Sequence, residues 1–576
     1  MDPITFEVVA NALSTTGDEM ALTVMRSAYS AVVRDTMDYS TALCDRDGTV
    51  IAQGLTLAVQ LGAFPDAMRH LLDQFGGRMQ PGDVFAFNDP YGAGGQHLPD
   101  IYVIKPIFFE GAVEGYAATM AHHCDVGGIA PGSVAIHATE IFQEGLRLPI
   151  VKLYEAGQPS DPVFRILERN TRQPVQLLGD IQAQVAACRT GERGYLALLE
   201  RHGAAGLRTY LEALQSRAER LMRAEIAALP DGEYRFTDYL DGFGDDPAPL
   251  PITVRLVIER DEILVDLTGT AAQVPAAINC PIAMVNSVCY CAIRAIAGPD
   301  VPNCAGYMRP IRVSAPSGTI VNPVLPAACA ARGVIGYRVF DAVMGALAQI
   351  VPEKVIAGCE GGPTLFAIGG YHRGQPFVLT EVMVGTWGAR ARQDGPEGIS
   401  NPAANLSNQP AELIEAELPI QVVGYGLVAD SGGPGRYRGG LAFFREWRLL
   451  AEDATFTVRS DRRHHRPYGV AGGMPGQAST NLHRTAGSQT VLAPMPMAGL
   501  RMRRGESFYH EGAGGGGFGD PFARDPFLVL EDVLDEKVSI EAARRDYGVA
   551  IEETSLTCDL EATAALRASI RQRAAE

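Results

Sequence analysis

The sequence predicts an α+β protein of several domains, with mixed α/β regions, a central helical segment and a mainly β C-terminal portion. The chain has 576 residues, which is more than one hydrophobic core usually supports. A helical pattern continues for about sixty residues, from Arg172 to Leu229. After Leu418 the sequence changes to short β-type runs rich in glycine and arginine. We therefore expect domains at 1–170, 171–230, 231–417 and 418–576.

The N-terminal region is predicted to begin with a long helix. Asp2 can cap its first turn, Pro3 fits the first helical position, and apolar residues recur at helical spacing as far as Ala28. The other elements follow from their periods and from the turn residues that bound them. We expect a strand pair in 40–54, helices at 65–75, 282–297 and 334–350, strands at 116–123, 443–450 and 454–458, a hairpin at 254–267 and a terminal helix from about Leu560.

Composition and charge argue against several classes of protein. The formal net charge of −18 disfavours a nucleic-acid partner, because phosphate binding needs a basic patch. The N-terminus lacks the basic stretch of a secretory signal, and no apolar run is long enough to span a membrane. The ten cysteines form no CxxC pair, which favours reduced thiols in a cytoplasmic protein. Cys289 and Cys291 lie in a predicted helix, where structural thiols are favoured over a metal pair.

Ligand-type side chains are most concentrated in the loop 88–100 and at the end of the strand that follows it. The glycines of the loop let the backbone bring His97 and Asp100 to one point. The strand ends in His122 and His123, and successive strand residues face opposite ways, so only one of these histidines is expected to reach a shared site. Spacing alone fits equally well a surface loop with solvent-facing histidines.

The types of ligand indicate which metal such a cluster would bind. Imidazoles together with carboxylates suit a divalent zinc, manganese or iron ion better than calcium, which prefers oxygen ligands. Such an ion lowers the pKa of bound water enough to form hydroxide near neutral pH. Asp35 and Asp38 follow the first helix, and either could be a further ligand or a general base. The alternative for both is a solvated turn at the helix end.

Two glycine-rich segments, 430–440 and 511–521, look at first like nucleotide-binding loops. Neither contains the Lys-Ser/Thr pair of a P-loop, and no kinase, Rossmann or Ser-His-Asp signature occurs elsewhere. Tight turns packed against other backbone or bonded to nearby carboxylates are the better interpretation. We therefore expect no ATP site on this chain.

Five motifs are spread over almost the whole chain: the loop 88–100, the double histidine 122–123, the segments 141–147 and 430–433, and the glycine run 514–519. Their order and spacing resemble the hydantoinase B/oxoprolinase family, and the length resembles its stand-alone B-type chains. In that family a companion A-type subunit with an actin-like ATPase fold phosphorylates the substrate, and the B-type chain completes the reaction at a bound metal. The resemblance therefore implies a hetero-oligomer with an A-type subunit, which uses ATP on behalf of the complex.

By this resemblance the metal ligands fall on Asp38, His97, Asp100 and His122, with His123 the less favoured of the two neighbouring histidines. The implied activity is hydrolysis of a cyclic amide of the hydantoin, 5-oxoproline or lactam type. Hydroxide would attack the activated amide carbon while phosphate leaves. Asp38 or Asp100 would act as the general base.

Two other functions are compatible with the sequence. Ketone carboxylases of the acetone or acetophenone type have B-like chains with the same motifs, and they add bicarbonate-derived carbon to an activated substrate, so a carboxylated product would distinguish them. A non-catalytic scaffold would bind no metal and would tolerate the change His97→Ala. The clustering of ligand-type side chains argues against the scaffold, because buried polar groups each need a partner.

Overall fold

The computed structural model describes residues 2–362 and 364–575. These residues form mixed sheets and helices, a long central helix and a mainly β C-terminal portion, which confirms the predicted fold class. The largest hydrophobic core contains residues from Val9 to Met495 and so draws on all four expected regions; the division into domains stays a prediction. None of the helices in the described part of the chain has the length and apolarity needed to cross a membrane.

The N-terminal region is built on a seven-stranded sheet with the order β2-β1-β5-β4-β3-β6-β7, in which every neighbouring pair is antiparallel. Asp2 caps the first helix by accepting hydrogen bonds from the N–H groups of Ile4 and Thr5, so the predicted helix start is confirmed. The elements are α1 (Pro3–Ser27), α2 (Ala31–Arg34), β1 (Tyr39–Asp45), β2 (Val50–Gln53), α3 (Ala58–Leu61), α4 (Phe64–Phe75), β3 (Val84–Phe87), β4 (Asp100–Phe109), β5 (Ala112–His122), β6 (Val151–Glu155), β7 (Gln158–Pro159) and α5 (Asp161–Arg169).

The predicted central helical segment is α6 (Pro174–Ala227), which consists of two helical stretches joined across a kink. Gly203 interrupts it with a φ of 66°, a left-handed conformation that glycine adopts without steric cost, so the helix is kinked there. One end of α6 lies against the first sheet, where Nε2 of Gln184 donates to the carbonyl oxygen of Ile101 at 2.9 Å. The helix therefore supports the sheet from behind.

The third region combines a four-stranded sheet, in the order β11-β10-β9-β8, with two buried helices. The elements are β8 (Gly232–Leu240), β9 (Leu250–Glu259), β10 (Glu262–Asp266), α7 (Ile282–Ile296), β11 (Ile311–Ser314), α8 (Gly333–Leu347), β12 (Thr364–His372), β13 (Gln375–Met383) and α9 (Ala411–Glu417). Every residue of α8 is buried, and its two charged residues, Arg338 and Asp341, each form an ion pair. Cys289 and Cys291 lie on α7 as free thiols.

The C-terminal region is mainly β, as predicted. Its strands belong to two sheets, β13-β12-β16-β19 and β14-β15-β20-β17-β18. One strand of the third region, β12, pairs directly with a C-terminal strand, β16. Phe366, Trp447, Phe456 and Phe508 pack together between these sheets. The elements are β14 (Ile420–Leu427), β15 (Phe443–Leu449), β16 (Asp453–Arg459), β17 (Thr480–Arg484), β18 (Gln489–Val491), β19 (Leu500–Arg503), β20 (Ser507–Glu511), α10 (Pro526–Leu534), α11 (Ile540–Asp546), β21 (Ala550–Glu552), β22 (Thr557–Asp559) and α12 (Leu560–Ala575).

The late glycine run packs backbone against backbone. The N–H groups of Gly515, Gly516 and Gly517 donate to carbonyl oxygens of Gly440, Gly358 and Met474 at 2.8–3.0 Å. A Cβ at Gly515 or Gly516 would collide with a neighbouring carbonyl oxygen. These N–H groups are therefore already bonded and are not free to cradle a phosphate.

Candidate metal centre

The candidate metal centre lies at one end of the first sheet, where β4 begins and β5 ends. Asp100 and His122 are direct partners across these two strands, so their side chains leave the sheet side by side on one face. His97 precedes β4 in a turn, in which the N–H of Asp100 donates to the carbonyl oxygen of His97 at 3.1 Å. The fold thus brings two imidazoles and one carboxylate to the same place.

These three side chains place one atom each at the corners of a small triangle. Nε2 of His97 lies 3.0 Å from Oδ1 of Asp100 and 3.1 Å from Nδ1 of His122, and the last two atoms are 3.2 Å apart. None of the three residues is more than 3% exposed. The ligand triangle, as we call this group, could hold a metal ion, and its burial is at odds with a surface loop carrying solvent-facing histidines.

Hydrogen bonding assigns the proton on the His97 ring. Nδ1 of His97 lies 2.8 Å from the carbonyl oxygen of Ala330, and because a carbonyl only accepts, Nδ1 carries the proton. Burial, together with the Arg332 guanidinium, lowers the pKa of His97 to about 3, so the neutral ring presents a lone pair on Nε2. Burial alone would raise the pKa of Asp100, but Arg332 and His97 outweigh it and hold that pKa well below its ordinary value. A lone pair and an ionised carboxylate therefore face each other.

This donor set fits a divalent transition metal. A lone pair and a carboxylate oxygen 3.0 Å apart repel each other unless a cation lies between them. A proton on His122 could satisfy only one of them at a time. Spacings of 3.0–3.2 Å match those between neighbouring ligand atoms on an ion with bonds of about 2.1 Å, and two nitrogens with one oxygen suit zinc, manganese or iron. The bond from His97 to Ala330 is the kind of outer contact that orients a metal-binding histidine.

Asp38, the fourth expected ligand, lies beside the triangle rather than in it. Its Oδ2 is 3.9 Å from Nδ1 of His122, and its Oδ1 accepts a hydrogen bond from Nε2 of Gln60 at 2.8 Å. Burial raises the pKa of Asp38, with His122 acting in the opposite direction. Asp35, the other acid after the first helix, forms an ion pair with Arg34 at 2.8 Å. Asp38 is thus the acid of this pair that reaches the site.

His123 is not brought to the triangle. Its ring points to the other face of the sheet, where Nε2 lies 3.2 Å from Oε1 of Gln184 on α6. The alternation of a strand places neighbouring side chains on opposite faces, and this alternation continues to His123, the first residue after β5. Of the two neighbouring histidines, His122 is therefore the one at the site.

Arg332 is a functional residue that the sequence analysis missed. It is the residue immediately before α8, and its Nη2 donates to Oδ2 of Asp100 and, at 3.1 Å, to Oε1 of Gln96. The guanidinium thus neutralises the Asp100 carboxylate on the side away from the two imidazoles. No motif marks Arg332, which lies 232 positions after Asp100.

Glu144 is a second such residue, although it lies in the motif 141–147. Its Oε1 accepts hydrogen bonds from the N–H groups of Cys329 and Ala330, each at 2.6 Å. These bonds hold the loop whose Ala330 carbonyl orients His97. Burial raises the pKa of Glu144 to about 8. The segment 141–147 therefore acts through the loop before α8 and not by direct contact with the triangle.

Comparison with known proteins gives the family. The profile of the family described as hydantoinase B/oxoprolinase matches residues 2–521. The B-type chain of a putative D-/L-hydantoinase from a Pseudomonas species is 34% identical to this chain, over 98% of this chain and 98% of its own length. The name of this relative describes one subunit of an enzyme.

Two solved structures share the fold over nearly all of the chain. The crystal structure of the ATP-dependent caprolactamase from Pseudomonas jessenii has a TM-score of 0.91 at 32% identity, and the alignment covers 99% of this chain and 100% of that one. The nucleotide-free structure of acetone carboxylase has a TM-score of 0.92 at 20% identity, covering 100% of this chain and 84% of that one; at this identity the likeness concerns the fold alone. From the profile match and the relatives above 30% identity, we conclude that this chain belongs to the hydantoinase B/oxoprolinase family.

Proposed function

We propose that this chain is the metal-bearing subunit of an ATP-dependent cyclic-amide hydrolase and works with a separate A-type subunit, which holds the ATP. The observation that carries this proposal is the buried ligand triangle of His97, Asp100 and His122. Its support comes from the relatives, one named as the B-type chain of a hydantoinase and another as an ATP-dependent caprolactamase. The glycine run near the C-terminus, with its N–H groups already bonded, also agrees with an ATP site on a partner.

The residues of the triangle have separate tasks in this proposal. His97, Asp100 and His122 would hold a zinc, manganese or iron ion. Such an ion would supply a Lewis acid and lower the pKa of a water molecule. Ala330 keeps the His97 ring turned with Nε2 toward the triangle, and Arg332 keeps the Asp100 carboxylate ionised.

Asp38 is our candidate for the general base. Oδ1 of Asp100 is a corner of the triangle, 3.0–3.2 Å from the ring nitrogens of the two imidazoles, and Oδ2 accepts a hydrogen bond from Arg332. Asp38 has one oxygen held by Gln60, while Oδ2 makes no hydrogen bond to the residues that the structure describes. A carboxylate with a free, oriented oxygen can accept a proton from water, whereas a fully engaged one cannot.

The proposed reaction opens the ring of the amide. The partner transfers a phosphoryl group from ATP to the amide oxygen, which makes the carbon more electrophilic. One water molecule supplies OH to the carbonyl carbon and H to the ring nitrogen as the C–N bond breaks. A second water molecule takes up the phosphoryl group, so the products are the open-chain acid, ADP and phosphate.

The first test is metal content, measured by elemental mass spectrometry on the purified full-length chain. We expect about one divalent ion per chain in the wild type and a loss of most of it in the double variant His97→Ala/His122→Ala. The matched control is the double variant His70→Ala/His372→Ala, which removes two histidines outside the triangle and should keep its metal. A wild-type chain that holds no metal after growth in metal-supplemented medium would refute the proposal and favour a scaffold.

The second test is turnover of the chain assembled with an A-type subunit, assayed on cyclic amides with and without bicarbonate. We expect ring-opened product that depends on ATP and on metal but not on bicarbonate. A product that carries carbon from labelled bicarbonate would instead identify a carboxylase. Full activity of the His97→Ala variant in an intact complex would refute a catalytic role for the triangle.

A further inference from the structure

Arg459 differs from every other buried arginine among the described residues. Seven arginines are buried there, and six of them lie within 4.0 Å of a carboxylate oxygen: Arg332, Arg338, Arg438, Arg445, Arg462 and Arg524. Arg459 is only 5% exposed and has no such partner in the described part of the chain. Its one hydrogen bond to the described residues runs from Nη1 to the carbonyl oxygen of Ala331 at 2.9 Å.

A buried guanidinium without a counter-charge is strongly unfavourable, because the loss of water is not offset by a nearby anion. Burial, reinforced by Arg332, lowers the pKa of Arg459 to about 9, so the group still carries its charge at neutral pH. The other six buried arginines lose water in the same way, and each of them has its carboxylate. A bound anion would supply the carboxylate-like partner that the described residues do not place beside Arg459.

The position of Arg459 shows where that anion would lie. Arg459 is the last residue of β16 and bonds to Ala331, directly after the residue that orients His97. A Cβ on Gly333, the first residue of α8, would lie 3.0 Å from Nη1 and 3.3 Å from Nη2 of Arg459. The guanidinium thus lies against the N-terminus of a 15-residue helix, where the aligned peptide dipoles also favour an anion.

The nearby charges indicate what kind of anion fits. The positive charge of Arg332 lowers the pKa of Arg459, and the negative charge of Asp38 raises it. Arg332 also lowers the pKa of Asp38, so all three groups lie close enough to interact. The two guanidiniums balance the two carboxylates, Asp38 and Asp100. A divalent ion at the triangle would leave a surplus of about two positive charges, and a phosphoryl group carries about −1.5 to −2 and offers three acceptor oxygens.

We propose that Arg459, together with Arg332 at the N-terminus of α8, binds the phosphoryl group of the activated substrate. This inference rests on the proposed function, because it takes the phosphorylated amide as the ligand of this site. It adds a residue of the C-terminal region to a site whose other members come from the first and third regions. A carboxylate on the substrate is the alternative ligand, and a comparison of phosphate with acetate separates the two.

The test uses inorganic phosphate and the full-length chain after dialysis against a chelator, with binding measured by isothermal titration calorimetry. We expect the wild type to bind phosphate and Arg459→Gln to bind it about 10- to 100-fold more weakly, as for the loss of a charge-assisted hydrogen-bonded pair. Arg459→Lys should be intermediate, because it keeps the charge but loses the planar fork. The matched control is Arg503→Gln on the neighbouring strand β19, an exposed arginine, which should bind as the wild type does.

Thermal unfolding shows separately whether each variant is folded and whether phosphate stabilises it. Phosphate should raise the melting temperature of the wild type and of Arg503→Gln, but not that of Arg459→Gln. Without phosphate, Arg459→Gln should melt at or above the wild-type temperature, because it removes an unpaired buried charge. A lower melting temperature of this variant without phosphate would show that Arg459 is structural and would overturn the proposal.

Three other results would also overturn it: no phosphate binding by the wild type, equal binding by Arg459→Gln, or tighter binding of acetate than of phosphate at Arg459. Failure of this inference is distinct from failure of the proposed function. If phosphate binding does not depend on Arg459 while amide hydrolysis remains metal-dependent, only the inference fails. If phosphate binds at Arg459 but the chain holds no metal, the proposed function fails and the anion site stands.

Discussion

Glu144 holds the loop that orients His97, and two substitutions separate its acceptor oxygen from the rest of its carboxyl group. Its Oε1 accepts the N–H groups of both Cys329 and Ala330 at 2.6 Å. Glu144→Gln keeps that oxygen and removes the carboxylate, whereas Glu144→Ala removes the acceptor altogether. The two variants should therefore differ strongly if the loop is held by hydrogen bonds.

The magnitude follows from the two N–H groups that Glu144→Ala leaves without an acceptor. Each buried donor left unsatisfied costs about 1–3 kcal/mol, so we expect a loss of about 2–6 kcal/mol in the free energy of unfolding. Release of the loop also moves the Ala330 carbonyl oxygen away from Nδ1 of His97, which then loses this hydrogen bond. Losing an outer contact of this kind lowers metal affinity about 10- to 100-fold. For Glu144→Gln we expect less than about 1 kcal/mol and little change in affinity.

The assay is zinc affinity, measured by competition with a chromophoric chelator, beside chemical denaturation of the same proteins. Glu200→Ala, an exposed glutamate on α6, is the matched control and should behave as the wild type. Wild-type zinc affinity in Glu144→Ala would mean that the loop does not orient His97. An equal loss in Glu144→Gln and Glu144→Ala would mean that the carboxyl group as a whole, and not the acceptor oxygen alone, holds the loop. Either result would refute the reasoning.

Three further predictions concern stability. Burial raises the pKa of Glu144 from 4.5 to about 8, so between these pH values the folded chain keeps a proton that the unfolded chain releases. The melting temperature of the wild type should therefore fall relative to that of Glu144→Gln as pH rises from 4.5 to about 8. Parallel plots of melting temperature against pH for the two proteins would contradict this. Arg445→Met leaves Glu381 buried without its counter-ion and should cost about 3–5 kcal/mol by chemical denaturation, so unchanged stability would contradict it. Gly515→Ala drives a methyl group into a backbone carbonyl, so its soluble yield should fall sharply, whereas Gly487→Ala, with open space around it, should not change.

The elements could be predicted because their signals are local, whereas the ligands of the triangle are implied by the resemblance to the family and not by spacing alone. The helical period locates α1 and α6, and the period of two in β5 separates His122 from His123. The two-residue gap between His97 and Asp100 is short enough for one turn to bring them together. All of these relations extend over a few residues or a single element, and one sequence is enough to reveal them.

The surroundings of the triangle could not be predicted, because they come from distant parts of the chain. Ala330 lies 233 positions after His97, and Arg459 lies 128 positions after the carbonyl that it contacts. Their proximity depends on the packing of α8 and on the pairing of β12 with β16. No period or spacing in a single sequence carries information on such pairings. The missed residues are therefore those that act on the ligands from other regions.

The distribution of charge gives a physical reason for an arrangement that spans three regions. Arg332 is paired with Asp100 and so keeps that carboxylate ionised inside the protein. Arg459 has no carboxylate oxygen within 4.0 Å among the described residues, and a buried unpaired charge destabilises by several kcal/mol. On the proposal that a phosphoryl group is its partner, binding of the phosphorylated substrate supplies the negative charge that Arg459 lacks. This stabilisation is lost when phosphate is released. An unphosphorylated amide brings no charge and gains nothing from it. The unpaired guanidinium would thus make the site favour the activated substrate over its precursor, and it would direct binding energy to the step that consumes the phosphoryl group.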